Sequence, residues 1–204
     1  MDARILPLLS RRSLLAGAAA TLGVAAVPQG AAALDLASAR ALIDSAVGDV
    51  NTIISSGGSE AAMLASFETL FARYADVPTI ARSALGPAAR SASKGELSAF
   101  TKAFQGYIAR KYGRRFREFI GGKIEVTDAR PIKSYFEVIT VAYLQGESPF
   151  DVRWHVADKS GKNLFFNIII EGVNMLASER AEIGAMLDKR QGSIGALIDA
   201  IKKV

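Results

Sequence analysis

Few residues in this chain have side chains suited to chemistry. The single histidine, His155, stands in the run Phe150-Asp151-Val152-Arg153-Trp154-His155-Val156. Strict alternation there would set Asp151, Arg153 and His155 on one side of a strand and Phe150, Val152, Trp154 and Val156 on the other. As a general base His155 would need an orienting acid and a nucleophile, and no Gly-x-Ser-x-Gly elbow supplies the latter. The alternation therefore predicts a solvated strand histidine. Absence of cysteine excludes a disulfide frame and a thiolate metal site. One histidine and singly scattered acids do not form a zinc or calcium ligand set. Gly57-Gly58 and Gly121-Gly122 are isolated pairs rather than a phosphate-cradling loop. No cofactor is expected.

The start of the chain sets the compartment in which any such chemistry would act. Ser10-Arg11-Arg12-Ser13-Leu14-Leu15 opens an Ala- and Gly-rich apolar stretch to Val27, followed by Pro28 and the small residues up to Ala33. A charged start, a short apolar middle and an Ala-x-Ala end describe an export signal, too short to span a bilayer permanently. The paired arginines favour the twin-arginine route over the general secretory one. Residues 1–33 are thus expected to be a leader cleaved near Ala33, with one domain over 34–204. The leader carries Arg4, Arg11 and Arg12 against Asp2, so its removal takes the formal charge from +5 to about +3.

The second chemical feature is cationic. Arg110, Lys111, Arg114, Arg115 and Arg117 interleave with Tyr112, Phe116 and Phe119. Nucleic-acid binders mix cations with stacking aromatics, but these aromatics belong to a packing ridge, and an exported protein has little reason to meet RNA. Two readings stay open: a solvated helix face, or a docking patch for anionic lipid headgroups or an acidic partner.

These residues must be positioned by a frame that changes period halfway along the chain. Leu36, Ala39, Ile43, Val47, Val50 and Ile54 recur at helical steps until Ser55-Ser56-Gly57-Gly58. Ser59-Glu60 introduces a second helix with Met63, Leu64, Phe67, Leu70 and Phe71, and Asp76-Val77-Pro78 caps a short third one that Gly86-Pro87 closes. A long helix is predicted from Lys94 to Ile120. Its ridge of Phe100, Phe104, Ile108, Tyr112 and Phe116 is spaced by four, overshoots each turn by about 40°, and so can face one partner for only part of its length.

Beyond Gly121-Gly122 the spacing becomes that of strands: a short one at Ile124 and Val126, then Ser134–Gln145, Phe150–Asp158 and Asn163–Glu171. Short turns between them imply antiparallel neighbours. Helices return over Asn174–Lys189 and from Gly192 to Lys203. The predicted fold class is α+β, with helices packed on one antiparallel sheet of about four strands. Strand two is apolar on both faces. Strand four sets Leu164, Phe166, Ile168 and Ile170 against Phe165 and Ile169. Such a sheet must be covered twice or must line a cavity. Both readings stand at this point.

In this order the pieces resemble the MlaC family, the toluene-tolerance type of auxiliary protein of ABC lipid transporters. The resemblance runs from about Val77 to the end. It rests on Ala84-Leu85-Gly86, on Phe100, Phe104 and Tyr112, on Ile170-Glu171-Gly172-Val173, on Arg180, and on Gly192 through Leu197-Ile198 to Ile201. Departures are Asn167 where the family tends to have an acid, Asn174 where it tends to have serine, and no aromatic soon after Leu85-Gly86. The resemblance implies a non-enzymatic periplasmic carrier with an apolar pocket for phospholipid acyl chains. It would exchange lipid with an inner-membrane MCE-domain ABC complex and an outer-membrane lipoprotein complex. Residues expected to line the pocket are Phe136, Val138, Val152, Trp154, Phe166, Ile168 and Val173, with Phe104 and Ile108 from the long helix. A hopanoid or other apolar lipid is an alternative cargo. A small enzyme resembling the NTF2-like fold is an alternative class, and it would need a pocket acid or His155 facing inward.

Overall fold

The computed structural model of the chain describes residues 35–113 and 120–204. The expected leader, the cations Arg114, Arg115 and Arg117, and the end of the predicted long helix lie outside the described residues. Among the described residues there are six α-helices and one five-stranded sheet.

Helix starts follow the capping chemistry. Asp35 caps α1 (Leu36–Ser55), Ser59 caps α2 (Glu60–Tyr74) and Asp76 caps α3 (Val77–Leu85), each accepting from the backbone N–H three residues on. Gly86, at φ 65°, ends α3 and a single 3-10 turn follows through Arg90. Ser93 and Glu96 form a reciprocal capping box at the head of α4 (Lys94–Gly113). Late in the chain, Asn174 caps α5 (Met175–Asp188) and Ser193 caps α6 (Ile194–Ile201).

The sheet is an antiparallel meander in the order β1 (Lys123–Ile132), β2 (Tyr135–Tyr143), β3 (Phe150–Ala157), β4 (Leu164–Ile170), β5 (Val173–Asn174). Strand β1 is much longer than its two apolar residues predicted, because a bulge at Thr127 lets charged residues continue the ladder with alternation interrupted. Strand β5 was not expected. Glu171 and Gly172, at φ 48° and 81°, make the two-residue turn that folds it back on Ile170. Both central residues lie in the left-handed region, the requirement of a type I′ hairpin turn.

Register fixes which side chains share a face. One face carries Ile124, Ala129, Val138, Thr140, Ala142, Val152, Trp154, Val156 and Phe165. Helix α1 packs against this side of the sheet, and the residues join one hydrophobic core with Ile43, Val47, Phe67, Phe100, Phe104 and Ile183. In α4 the burial does not keep the four-residue step. Phe100, Ala103, Phe104 and Tyr107 are buried, whereas Ile108 and Tyr112 are half-buried. The drift predicted for the ridge is thus visible, and Tyr107 takes the inward position one residue before Ile108.

Candidate functional site

The candidate site is the wall formed by the core face of the sheet and the helices against it. Val138 and Phe104 are fully buried, Val152 and Trp154 are buried nearly as completely, and Phe136, Ile168 and Ile108 are half-buried against the core. Phe136, Val138, Val152, Trp154 and Ile168 share one face of the sheet, and Phe104 and Ile108 of α4 join the same core cluster. They pack as core. Thr140, the one polar group on this stretch of wall, donates to Val152 O (3.1 Å) and accepts from the Trp154 indole N–H (3.0 Å). The indole therefore lies in an apolar wall with its polar atom satisfied. Trp154 meets Phe165 edge-on, with ring centroids 5.2 Å apart.

Two expected lining residues are placed elsewhere. A register shift after His155 pairs Val156 with Phe165 and His155 with Asn167, so Phe166 is the extra residue. Phe165 turns to Trp154, whereas Phe166 lies against His155 and Tyr135 on the opposite face. Strict alternation across β4 assigns the wrong phenylalanine, because one bulge reverses parity. Val173 sits in the two-residue edge strand, 54% exposed.

Contrary to the sequence expectation, His155 is not solvated; it is 8% exposed. It belongs to a row of register partners running across four strands, Arg130, Glu137, His155 and Asn167. Arg130 donates to Glu137 Oε1 through Nε at 2.8 Å, and the second Glu137 oxygen lies 3.3 Å from His155 Nε2. Asn167 Oδ1 accepts from the backbone N–H groups of Ile168 (2.9 Å) and Leu176 (3.2 Å). That commits its amide nitrogen to face His155 Nδ1, 3.4 Å away. A bare Nδ1 and an Nε2–H directed at Glu137 follow, so the ring is neutral. Burial pushes its pKa below the usual histidine value, and the Glu137 hydrogen bond and charge only partly offset this. The row lies on the face opposite Trp154 and holds no nucleophile. It ties β1 through β4 to the first turn of α5.

The cationic cluster also differs from expectation. Arg110 is not free: Nε and Nη2 each donate at 2.8 Å, to Val204 O just past α6 and to the carbonyl of Ile201, its last residue. Lys111 is half-buried and donates to Glu179 (2.7 Å), Glu182 (2.6 Å) and the Tyr107 hydroxyl (3.1 Å). Tyr107 in turn donates to Glu182, and Tyr112 makes a short bond to Glu179. Burial first, then the neighbouring carboxylates, raise the pKa of both tyrosines. Burial acts to lower that of Lys111, but its bonds to Glu179 and Glu182 outweigh this and raise it. These two cations fasten α4 to α5 and α6. They were misread because helical spacing shows which residues are neighbours along α4 but not what faces them from a helix far along the chain.

A family model described as MlaC protein matches residues 44–203. Among solved structures, a phospholipid-binding protein from Ralstonia solanacearum, determined in complex with a phospholipid, superposes with a TM-score of 0.70. The match covers 81% of this chain and 95% of that one at 18% identity, a likeness of fold.

Proposed function

The chain belongs to the MlaC family, and from that premise we propose that it is a periplasmic lipid carrier, taking phospholipid acyl chains between the core face of its sheet and the helices. The observation that carries this reading is the family match across 44–203, which spans nearly all of the described α+β unit. The wall supports it chemically, being apolar with its one hydroxyl and its indole N–H bonded to each other. Phe104, Ile108, Phe136, Val138, Val152, Trp154 and Ile168 are the proposed lining, and Phe165 takes the place of Phe166.

Exposing acyl chain to water costs about 0.8 kcal/mol per methylene, so a chain of about 16 carbons is penalised by roughly 12 kcal/mol. A carrier must hide that surface, and it must then surrender it. Because the lining side chains pack on one another in this structure, cargo enters by parting helices from the sheet. The proposed donor and acceptor are an inner-membrane MCE-domain complex and an outer-membrane lipoprotein complex, each offering a competing apolar site. The signal expected in residues 1–33 delivers the chain to that compartment.

Protein purified from its native compartment without detergent should yield phospholipid on organic extraction, seen by mass spectrometry at near-stoichiometric amount. Extracts without lipid from folded protein would overturn the reading.

A further inference from the structure

We propose that the groove between α3 and α4 is an electrostatic docking surface for membranes carrying anionic phospholipids, centred on Arg82 and Lys102. It is an open groove of about 560 Å³, and both cations line it together with the side chains of Thr79, Ser98, Thr101 and Gln105. No carboxylate lines it. Neither Arg82 nor Lys102 has an ion-pair or hydrogen-bond partner among the described residues, in contrast to Arg110 and Lys111, which are held inside.

Charge along the chain points to the same place. Residues 77–105 carry Arg82, Arg90, Lys94 and Lys102 against Glu96 alone, a net +3. Residues 106–117 are more basic still in sequence, but Arg110 and Lys111 there are held by acceptors on the helices beside them. Glu96 is turned back on Ser93 in the capping box rather than onto a cation. From α5 the exposed Arg180 lies over Gly86 at the end of α3, its Nε 3.4 Å from where a Cβ would be. Cations clustered on one surface are drawn to a negative membrane within a Debye length. The Thr79 and Ser98 hydroxyls beside them suit phosphodiester oxygens, whereas Thr101 already donates to Leu97 O (2.7 Å) and Gln105 to Glu68 (3.4 Å).

This surface is distinct from the interior proposed for acyl chains, so protein found empty on extraction still tests it. Vesicles of phosphatidylcholine, with and without a fifth of phosphatidylglycerol, are to be co-sedimented with the protein at low and high salt. Wild type should bind the anionic vesicles alone and lose them at high salt. Arg82→Ala with Lys102→Ala should weaken binding about thirtyfold, taking about fivefold per cation. The control Lys159→Ala with Lys162→Ala, exposed on the turn between β3 and β4, should change it little. Thermal melts of both variants check that they remain folded. Failure to bind anionic vesicles, as for a surface that recognises an acidic protein instead, overturns the proposal. So does equal binding to neutral vesicles, or an equal loss in the control pair.

Discussion

His155 carries a proton balance that can be measured directly, because it is the only histidine in the chain. Its folded pKa is depressed, first by burial, so the unfolded chain takes up a proton before the folded one does. Stability is then full above the ordinary histidine value of about 6.5 and falls as pH drops through the folded pKa. The imidazole C2–H resonance should titrate with a midpoint below that value. His155→Gln should flatten the melting temperature between about pH 7.5 and 5.5. Asn167→Asp keeps an acceptor for the Leu176 N–H but sets a charge beside Nδ1, and should raise the midpoint. Lys111 makes the opposite case. Lys111→Met leaves Glu179, which is 3% exposed, without its cation. Urea titration should show a loss of about 3 kcal/mol. Neither partner set was legible in the sequence. Glu137 and Asn167 lie 18 and 12 positions from His155, and Glu179 lies 68 from Lys111. Alternation gave the correct face for His155. It could not show that Tyr135 and Phe166 would shield the ring, at centroid distances of 4.6 and 5.8 Å.

Elements were read more securely than their contacts. Caps at Ser59 and Asp76 and the breaker at Gly86-Pro87 are short-range chemistry, and α2 and α3 start and stop where those residues place them. Bulges are different, since a single extra residue leaves composition unchanged while reversing every side chain beyond it. That is how Phe166 displaced Phe165 in the expected lining. The small strand β5 was hidden for a related reason. Glu171-Gly172 reads as the end of an apolar run, yet its paired left-handed φ values make it a hairpin turn. Gly172→Val should cost about 1–2 kcal/mol, the penalty of a side chain in that conformation. Glu171→Asn should be neutral or slightly stabilising, since asparagine tolerates the left-handed region better than glutamate. Chemical denaturation of the two variants side by side gives both signs.

For the molecule as a whole, the proposed lining packs as core, so on the proposed reading cargo and interior side chains compete for one space. Delipidated protein should therefore gain stability on adding phospholipid, by about 2.7 kcal/mol at a hundredfold excess over Kd. A rise in melting temperature that scales with lipid concentration is the expected signature, with a negative heat-capacity change in calorimetry. Family resemblance could be read from Val77 onward, but whether the interior is open or filled depends on packing, which spacing does not encode. On the proposed reading, α1 constrains where it opens. Its Asn51 amide spans both backbone groups of Ile124, accepting its N–H at 3.3 Å and donating to its carbonyl at 3.2 Å, and Arg40 Nη2 donates to Val126 O at 3.2 Å. Side chains thus stand in for the neighbour that the outer margin of β1 lacks. Lifting α1 would bare that margin, a template on which a second chain could polymerise.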